Sequence, residues 1–262
     1  MDSPALSRST DPLDYQGVPR PVAGMPKDFP DGFHIAPHRH ERDQLLYALS
    51  GTMRVRTGDE AWIVPPDRAV YIPAEVTHAI DISGTVAMRT VYVRGGAAPG
   101  LPASPTVLEV SPLLRALILA LIAEPVLYEE DGRGGAIARL MLSEIQRAPR
   151  LALVLPMPRD ARLRRVCDAL LADPSQRAGL EAWADIAGAS PRTLARLFER
   201  EVGLSFNAWR QRVRFHNALV ALVCGEPVAA VAARNGYRST SAFSAAFRRV
   251  MGVAPSALKE AR

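Results

Sequence analysis

The sequence is poor in cysteine and has no apolar segment long enough to cross a bilayer. Its two cysteines, Cys167 and Cys224, are far apart and belong to no CxxC or Cys/His motif, which argues against a disulfide framework and a zinc finger. The longest apolar run, residues 113–123, is about half of the roughly 20 residues that span a membrane, and it contains Arg115. No secretory signal pattern opens the chain. We therefore expect a soluble, cytoplasmic protein with no membrane partner.

The charge is unevenly distributed along the 262 residues, a length that suits one large domain or two ordinary ones. Residues 1–150 contain 15 Lys+Arg and 18 Asp+Glu, a net charge of −3. Residues 151–262 contain 17 Lys+Arg and 9 Asp+Glu, a net charge of +8. This asymmetry suggests that an acidic-to-neutral module is joined to one that contacts a polyanion.

The local patterns predict a two-domain α+β protein. Residues 1–32 are rich in Pro, Asp and Gly and predict an irregular arm. Residues 33–94 contain short strand-like runs separated by turn signals, as in a β-sandwich or small barrel. Residues 95–156 predict a linker with two trailing helices, at 111–124 and 135–148. Everything beyond residue 157 predicts an all-α domain.

The two trailing helices each carry an apolar stripe that is too large to leave in water. Ser111 is the expected N-cap of the first, with Pro112 at its first helical position. Leu113 and Leu140 are among the residues assigned to the stripes. The helices could complete the N-terminal domain, contact the C-terminal domain or pack on a second subunit, so a homodimer is a candidate assembly.

The C-terminal half repeats itself in two segments, at about residues 180–201 and 228–250. Ala184 and Gly188 in the first correspond to Ala232 and Gly236 in the second, an offset of 48 residues. An alanine, a glycine four residues later and then an apolar residue form the helix-turn-helix rhythm, in which glycine accepts the positive φ of the turn. Two such units in a basic module predict binding to a double-stranded DNA operator.

The outward-facing polar residues of each second helix are the expected DNA contacts, because arginine binds guanine bidentately and Ser/Thr reach base edges or phosphates. In the second helix of the second helix-turn-helix segment, Ala242 and Ala246 are expected to face inward. The candidate DNA-binding residues are Ser190, Arg192, Thr193, Arg196 and Arg200 in the first unit and Ser239, Thr240, Ser241, Ser244 and Arg248 in the second.

The last 105 or so residues resemble the DNA-binding domain of the AraC/XylS family of bacterial transcription regulators. The matching stretches are SPRTLARLFERE, GLSFNAWRQRVR, VAAVAARNGYRSTSAFSAAFRRVMG and the closing VAPSALK. The resemblance implies a seven-helix domain over residues 157–262 with two helix-turn-helix units on a shared linker helix, and RNA polymerase becomes a candidate partner. Phe215-His216-Asn217 departs from the family pattern in that linker helix, which affects either packing or a phosphate contact.

The stretch HRHERDQLLYALSG resembles the first motif of the cupin family. His38-x-His40-x3-Gln44-x6-Gly51 has that spacing, with Gln44 where the family usually has glutamate. Residues 71–78 resemble the second motif, with His78 at its end and Glu75 in place of glycine. The resemblance implies a cupin-like barrel over about residues 33–94. On a strand, His38, His40 and Gln44 share one face, whereas Glu41 and Asp43 lie on the other.

The cupin-like pocket formed by His38, His40, Gln44 and His78 is the candidate effector site. Histidines suit a divalent transition metal such as nickel, zinc, iron or copper, and Gln44 is a weak oxygen ligand or an orienting group. The alternatives are an organic effector, a vestigial pocket, or a metal-dependent cupin enzyme fused to a DNA-binding module. Because the chain has no Ser/His/Asp constellation, Walker loop or GxGxxG, we expect no catalytic residues and a DNA-binding regulator under effector control.

Overall fold

The computed structural model describes residues 9–66, 68–151, 153–251 and 254–258. By its internal contacts the chain divides into two compact units. The first contains Met1–Val55 and Val64–Leu151, and the second contains Arg56–Ile63 and Ala152–Arg262. Within the described ranges, no helix is long and apolar enough to cross a membrane.

The first unit is built around antiparallel β-sheet. Its strands are β1 (Val22–Phe29), β2 (His34–His38), β3 (Asp43–Ala48), β4 (Thr52–Arg56), β6 (Arg68–Ile72), β7 (His78–Ser83), β8 (Val86–Val93), β9 (Thr106–Glu109) and β10 (Arg150–Leu151), with β5 (Glu60–Val64) at the boundary between the units. One sheet has the order β1-β8-β3-β6-β9-β10, and β4, β7 and β2 lie side by side in a second. This is the predicted cupin-like sandwich.

The arm predicted to be irregular over residues 1–32 contains a strand, so that part of the prediction is wrong. Strand β1 pairs with β8 along its full length, from Val22 opposite Val93 to Phe29 opposite Val86. Gly24, Pro26 and Asp28 weaken the local strand signal, but pairing with β8 overrides it. Residues 1–8 of the arm lie outside the described residues.

The buried Arg42 side chain holds the chain segment just before β1. Its Nε donates to the carbonyl of Gln16 at 2.9 Å, and its other guanidinium nitrogens donate to the carbonyls of Arg20 and Val18. Backbone carbonyls in this segment therefore have partners even though no regular element forms.

Helices α1 (Pro112–Ala123) and α2 (Arg133–Arg147) pack on the larger sheet. The Ser111 hydroxyl accepts a hydrogen bond from the Leu114 N–H at 3.0 Å, the predicted cap. The shared apolar core includes Leu45, Tyr47, Val91, Leu114, Leu117, Ile118, Ile137, Met141 and Ile145. Leu113 and Leu140, which were assigned to the stripes, instead remain 46% and 44% exposed, because the sheet covers only one face of each helix.

The second unit is mainly helical. Its helices are α3 (Ala161–Ala172), α4 (Leu180–Ala187), α5 (Pro191–Leu197), α6 (Phe206–Val223), α7 (Val228–Arg234) and α8 (Thr240–Met251). A π-helical turn, Phe198–Val202, follows α5, and β11 (Leu155–Pro156) pairs with β5. The predicted helix-turn-helix segments contain the pairs α4–α5 and α7–α8. Their turn glycines, Gly188 and Gly236, have φ values of 63° and 82°, as the repeat predicted.

Aromatic and aliphatic side chains hold the two helix pairs on α6. Trp209 of α6 is buried in one cluster with Trp183, Leu194 and Phe198. Further along α6, Phe215 contacts Phe243 and Phe247 of α8, with ring centroids 5.8 and 5.5 Å apart. Ala246 is half-buried, but Ala242 is exposed and not inward-facing, because it lies in the first turn of α8, beyond the face that Phe243 and Phe247 bury.

Candidate functional site

Helix α5, the second helix of the first predicted helix-turn-helix segment, begins as its sequence predicts. The Ser190 hydroxyl accepts from the Thr193 N–H at 3.2 Å and contacts the Thr193 hydroxyl at 2.9 Å, while Pro191 occupies the first helical position. Leu194 and Leu197 face the core. Arg192 and Arg196 are exposed, and Thr193 is half-buried. The outer face of α5 thus offers two guanidinium groups and a hydroxyl.

Arg200 belongs to the π-helical turn, and an ion pair restricts its side chain. Its Nη2 donates to the Glu201 carboxylate at 2.9 Å, and the same carboxylate accepts from the backbone N–H groups of Arg159 and Asp160. The change from α-helix to π-helix at Phe198 alters the rotation of Arg200 relative to Arg192 and Arg196. Arg200 is therefore held at the end of this surface.

Helix α8, the second helix of the other predicted helix-turn-helix segment, has the same type of start. The Ser239 hydroxyl accepts from the Ala242 N–H at 3.2 Å and contacts the Ser241 hydroxyl at 3.1 Å. Thr240, Ser241 and Arg248 are exposed, and Ser244 is half-buried. Ser190 and Ser239 are thus matched caps, which leaves the following residues of each helix to face a ligand.

The histidine pocket lies where β2 ends and β7 begins. His38 and His78 are opposite each other in the pairing of these strands, after a register shift between Ile35 and His38. His40 follows β2 by two residues, and its carbonyl accepts from the Glu75 N–H at 2.8 Å. One ring nitrogen each from His38, His40 and His78 lies within 4.8 Å of the others. Three of the four residues expected in the pocket therefore meet.

Hydrogen bonds to backbone carbonyls select the tautomers of two of these histidines. His38 Nδ1 lies 2.8 Å from the Ala36 carbonyl, and His78 Nδ1 lies 3.0 Å from the Val76 carbonyl. A carbonyl only accepts, so in the neutral form of each ring Nδ1 carries the proton and Nε2 has the lone pair. The Nε2 atoms of His40 and His78 are buried without a hydrogen-bond partner. Such nitrogens are suited to bind a cation.

The pocket keeps its two buried histidines uncharged at neutral pH. Burial, followed by the nearby charges of His38 and His78, lowers the pKa of His40 to about 4. Burial also lowers the pKa of His78 to about 4, although the Val76 carbonyl favours its charged form. Neutral imidazole is the form that ligates a metal, so protons do not compete at pH 7.

Gln44 lines an apolar cavity next to the histidines. The cavity has a volume of about 310 Å³, and its walls include Met25, Phe29, Phe33, Ile80, Met88 and Tyr92. Gln44 Nε2 donates to the Tyr92 hydroxyl at 3.4 Å, whereas Gln44 Oε1 is buried without a partner. The Thr90 hydroxyl, also in the wall, is likewise buried and unpartnered. These two groups are the points where a bound molecule gains hydrogen bonds.

The carboxylate of Asp43 faces away from the pocket, as strand alternation predicted. It accepts from the Tyr71 hydroxyl at 2.7 Å and from the Ala74 N–H at 2.8 Å, which anchors the loop before His78. His34 lines the far edge of the cavity, but its Nδ1 lies 2.8 Å from the Asp81 carboxylate and it stays outside the histidine trio.

Comparison with known proteins agrees with both halves of the structure. A cupin domain model matches residues 28–94, and a helix-turn-helix domain model matches residues 183–261. The chain is 32% identical over 218 residues to the HTH-type transcriptional regulator NimR of Escherichia coli, covering 83% of this chain and 80% of NimR. The chain belongs to the AraC family of transcription regulators. It is a sequence-specific DNA-binding protein with a cupin domain.

Other relatives of this AraC-family regulator cover different shares of the chain. It is 30% identical over 223 residues to the HTH-type transcriptional regulator RipA of Corynebacterium glutamicum, covering 81% of this chain and 60% of RipA. Among solved structures, the C-terminal domain of AraT from Geobacillus stearothermophilus matches with 30% identity and a TM-score of 0.35, covering 39% of this chain and 87% of that domain.

Glu75, which replaces the usual glycine of the second cupin motif, is the one non-glycine residue with a positive φ, 63°, within the described part of the regulator. A left-handed residue with a Cβ costs about 1–2 kcal/mol. The Glu75 carboxylate lies 3.3 Å from Arg39 Nε, but both side chains are exposed, so this ion pair stabilises the fold very little.

We expect Glu75→Gly to raise the free energy of unfolding of the first unit by about 0.5 kcal/mol, after the extra chain entropy of glycine is subtracted. Calorimetric melting measures this change. The matched control is Glu75→Ala, which removes the carboxylate and keeps the Cβ and should give no gain. Destabilisation by glycine greater than by alanine would contradict the assignment of strain.

Two groups of residues in this regulator escaped sequence analysis. Thr90 and Tyr92 line the cavity from β8, and no motif marks them. Three arginines of the second unit, Arg177, Arg210 and Arg214, line a common cavity that the sequence did not predict. In both groups the residues come together only through tertiary packing.

Proposed function

We propose that this AraC-family regulator is controlled by a ligand bound in the histidine pocket, and that α5 and α8 recognise its operator. The observation that carries the first part is the meeting of three histidine nitrogens, two of them buried with no protein partner. The exposed arginine and hydroxyl groups that follow matched serine caps support the second.

In the DNA-binding surface, the geometry favours Arg192, Thr193 and Arg196 as contacts from α5. The corresponding group on α8 is Thr240, Ser241, Ser244 and Arg248. The hydroxyls of Ser190 and Ser239 already accept backbone hydrogen bonds, so we assign these two residues to positioning the helices.

Arg196→Ala is expected to weaken operator binding by about 5–150-fold, the range for loss of one bidentate arginine contact, and to relax the preference at one base position. The operator is first selected from a random duplex library with the wild-type protein. Fluorescence anisotropy then measures affinity for the operator and for its single-base variants. The control is Arg147→Ala, which removes an exposed arginine from α2 in the first unit. Equal affinity of Arg196→Ala and wild type would place the recognition surface elsewhere.

The first candidate ligand is a divalent transition metal. His38, His40 and His78 would hold it through imidazole nitrogen, the donor that suits zinc, nickel, copper and iron. The metal would supply a fixed positive charge to which a further donor atom can bind. Gln44 lies beside this site but is neutral, so it is a weaker oxygen ligand than the glutamate usual in cupins.

The second candidate is a small, neutral, largely apolar molecule. It is favoured by the apolar wall of the cavity and by the unpartnered Gln44 Oε1, which accepts a hydrogen bond from an N–H or O–H of the ligand. A buried charge on such a ligand would need a counter-ion. Lys27 also lines the wall and donates to the neutral Thr10 carbonyl at 3.0 Å, so it keeps its charge and is the group that would pair with an anionic substituent of the ligand.

We infer that the pocket serves recognition and not catalysis. The Tyr71 hydroxyl donates a hydrogen bond to the Asp43 carboxylate, and burial raises the pKa of Tyr71, so this tyrosine is not a general base. Arg89 is paired with Asp28 at 2.8 Å. The His34–Asp81 pair also reaches the cavity, but His34 lies outside the group of three histidines whose ring nitrogens meet.

The experiment that tests the proposed function measures metal content, operator affinity and pocket occupancy in one preparation. The purified protein is analysed for bound metal, and operator affinity is compared before and after chelation. The proposal predicts that either the metal or a molecule extracted from the pocket changes operator affinity. A metal-dependent enzyme would instead show turnover that is lost in His38→Ala while operator binding stays constant.

A further inference from the structure

A cavity of about 670 Å³ in the second unit has a strongly basic wall. Arg210 and Arg214, one turn apart on α6 in the WRQRVR stretch, lie along one side. The rest of the wall includes Asp173, Arg177, Arg234 and Asn235. This cavity is separate from the α5 and α8 residues already assigned to DNA, and no function has been given to it.

The positive charge of this wall is poorly compensated. Arg214 donates to the carbonyls of Pro174 and Gln176, and Arg210 donates to the carbonyl of Ala178. These acceptors are neutral, so they orient the guanidinium groups without cancelling their charge. Burial, and then the nearby charges of Arg210 and Arg177, lower the pKa of Arg214. Like charges held together in this way attract an anion.

The acidic groups around the cavity are already engaged. The carboxylate of Asp173 accepts from the Ser175 hydroxyl and N–H and from the Gln176 amide. Glu226 pairs with Arg234 at 2.8 Å. The donors to Asp173 are neutral, so its carboxylate keeps a negative charge. The wall stays net positive because Arg177, Arg210, Arg214 and Arg234 outnumber Asp173 and the Glu226 that pairs with Arg234.

The cavity lies between the two helix-turn-helix units. Arg177 precedes α4, the first helix of the first helix-turn-helix unit. Gly236 of the wall is three residues before Ser239, the cap of α8. Arg210 and Arg214 belong to α6, which joins the two helix-turn-helix units. The two recognition helices would enter successive major-groove segments about 34 Å apart on one face of the duplex. The minor groove lies between those two segments, so its phosphates face the protein between the two helices.

We propose that this cavity binds a backbone phosphate of the operator, from the segment between the two recognised major-groove segments. Arg177, Arg210 and Arg214 hold that phosphate and contribute affinity without sequence preference. The proposal rests on DNA binding by the second unit and is independent of the histidine pocket, so the two can fail separately.

The salt dependence of DNA binding by Arg177→Gln tests the proposal. Arg177 is exposed on a loop, so its replacement leaves the helical core intact. Loss of one phosphate contact is expected to lower affinity about fivefold for operator and non-operator duplexes alike, and to reduce the slope of log affinity against log salt by about 1. The double variant Arg177→Gln/Arg210→Gln should reduce the slope by about 2, with circular dichroism to verify folding.

The matched control is Arg115→Gln, which removes the same charge from an exposed position on α1 of the first unit. It should leave the slope unchanged. Ethylation interference maps the phosphate directly: wild type should be blocked by ethylation between the two recognised segments, and Arg177→Gln should lose that signal. An unchanged salt slope in Arg177→Gln would overturn the proposal. The proposal would also be overturned if pyrophosphate saturated the cavity without lowering the affinity for DNA, because the cavity would then bind a free anion and not the operator backbone.

Discussion

Replacing His78 with alanine is expected to lower the zinc affinity of the regulator by more than about 100-fold. Loss of a group that only supports a metal ligand lowers metal affinity by roughly 10–100-fold, and loss of a ligand itself should cost more. His78 contributes an uncharged imidazole whose Nε2 is buried and unpartnered. Two imidazoles and a weak amide oxygen cannot replace a set of three. Competition with a chromophoric chelator measures the affinity, and circular dichroism verifies the fold.

His34→Ala is the matched control, because His34 lies on the edge of the same cavity but is paired with Asp81 outside the trio. It should bind zinc as wild type does. Gln44→Glu should bind zinc more tightly than wild type, because it restores the anionic ligand usual in cupins. Equal zinc affinity of His78→Ala and wild type, or equal losses in the His78 and His34 variants, would contradict the metal site.

The second large effect concerns His216, whose substitution in the linker helix is expected to change the acid stability of the DNA-binding unit. His216 is 2% exposed, so the alternative of a phosphate contact is wrong and its role lies in packing. Burial, followed by the nearby charge of Arg212, lowers its pKa to about 3. Its Nδ1 is buried without a hydrogen-bond partner.

The direction of the pH dependence follows from proton counting. Between pH 6.5 and about 3 the unfolded chain binds a proton at His216 that the folded protein excludes. Stability from this group is therefore complete above pH 6.5 and is lost as the pH falls, by about 1.4 kcal/mol per pH unit. His216→Leu removes the group. The free energy of unfolding of the variant minus that of wild type is expected to be about 2 kcal/mol larger at pH 5 than at pH 7.5.

Urea unfolding followed by tryptophan fluorescence measures this effect, because Trp62, Trp183 and Trp209 are the three tryptophans of the chain and all belong to the second unit. The other low-pKa histidines, His40 and His78, belong to the first unit and are present in both proteins. Parallel pH profiles of wild type and His216→Leu would show that His216 is not the titrating group.

Features that depend on neighbouring residues were predictable from the sequence. The cap Ser111 forms as expected, and Ser190 forms the same cap, because a serine, a following proline and the next helical N–H groups suffice to make it. The turn glycines Gly188 and Gly236 have positive φ for an equally local reason. The spacing of the histidines placed His38, His40 and His78 in one pocket.

Features that depend on distant partners were not predictable. Strand β1 contains a glycine and a proline and exists because β8 pairs with it. The exposure of Leu113 and Ala242 depends on which face of each helix another element covers. The cluster of Arg177 with Arg214 joins a loop to a helix 37 positions away along the chain, a contact that no local pattern encodes.

The most direct test of ligand control is the operator affinity of one protein preparation with and without a transition metal in the histidine pocket. Anisotropy titrations with the selected operator would compare metal-free wild type, zinc- or nickel-loaded wild type and the His78→Ala variant under the same metal conditions. Ligand control by a bound metal predicts that the metal changes the operator affinity of wild type at least tenfold, a coupling of about 1.4 kcal/mol, and leaves that of His78→Ala unaffected. Metal that occupies the trio while operator affinity stays constant, with extracts of the native pocket contents equally inert, would contradict ligand control through this pocket.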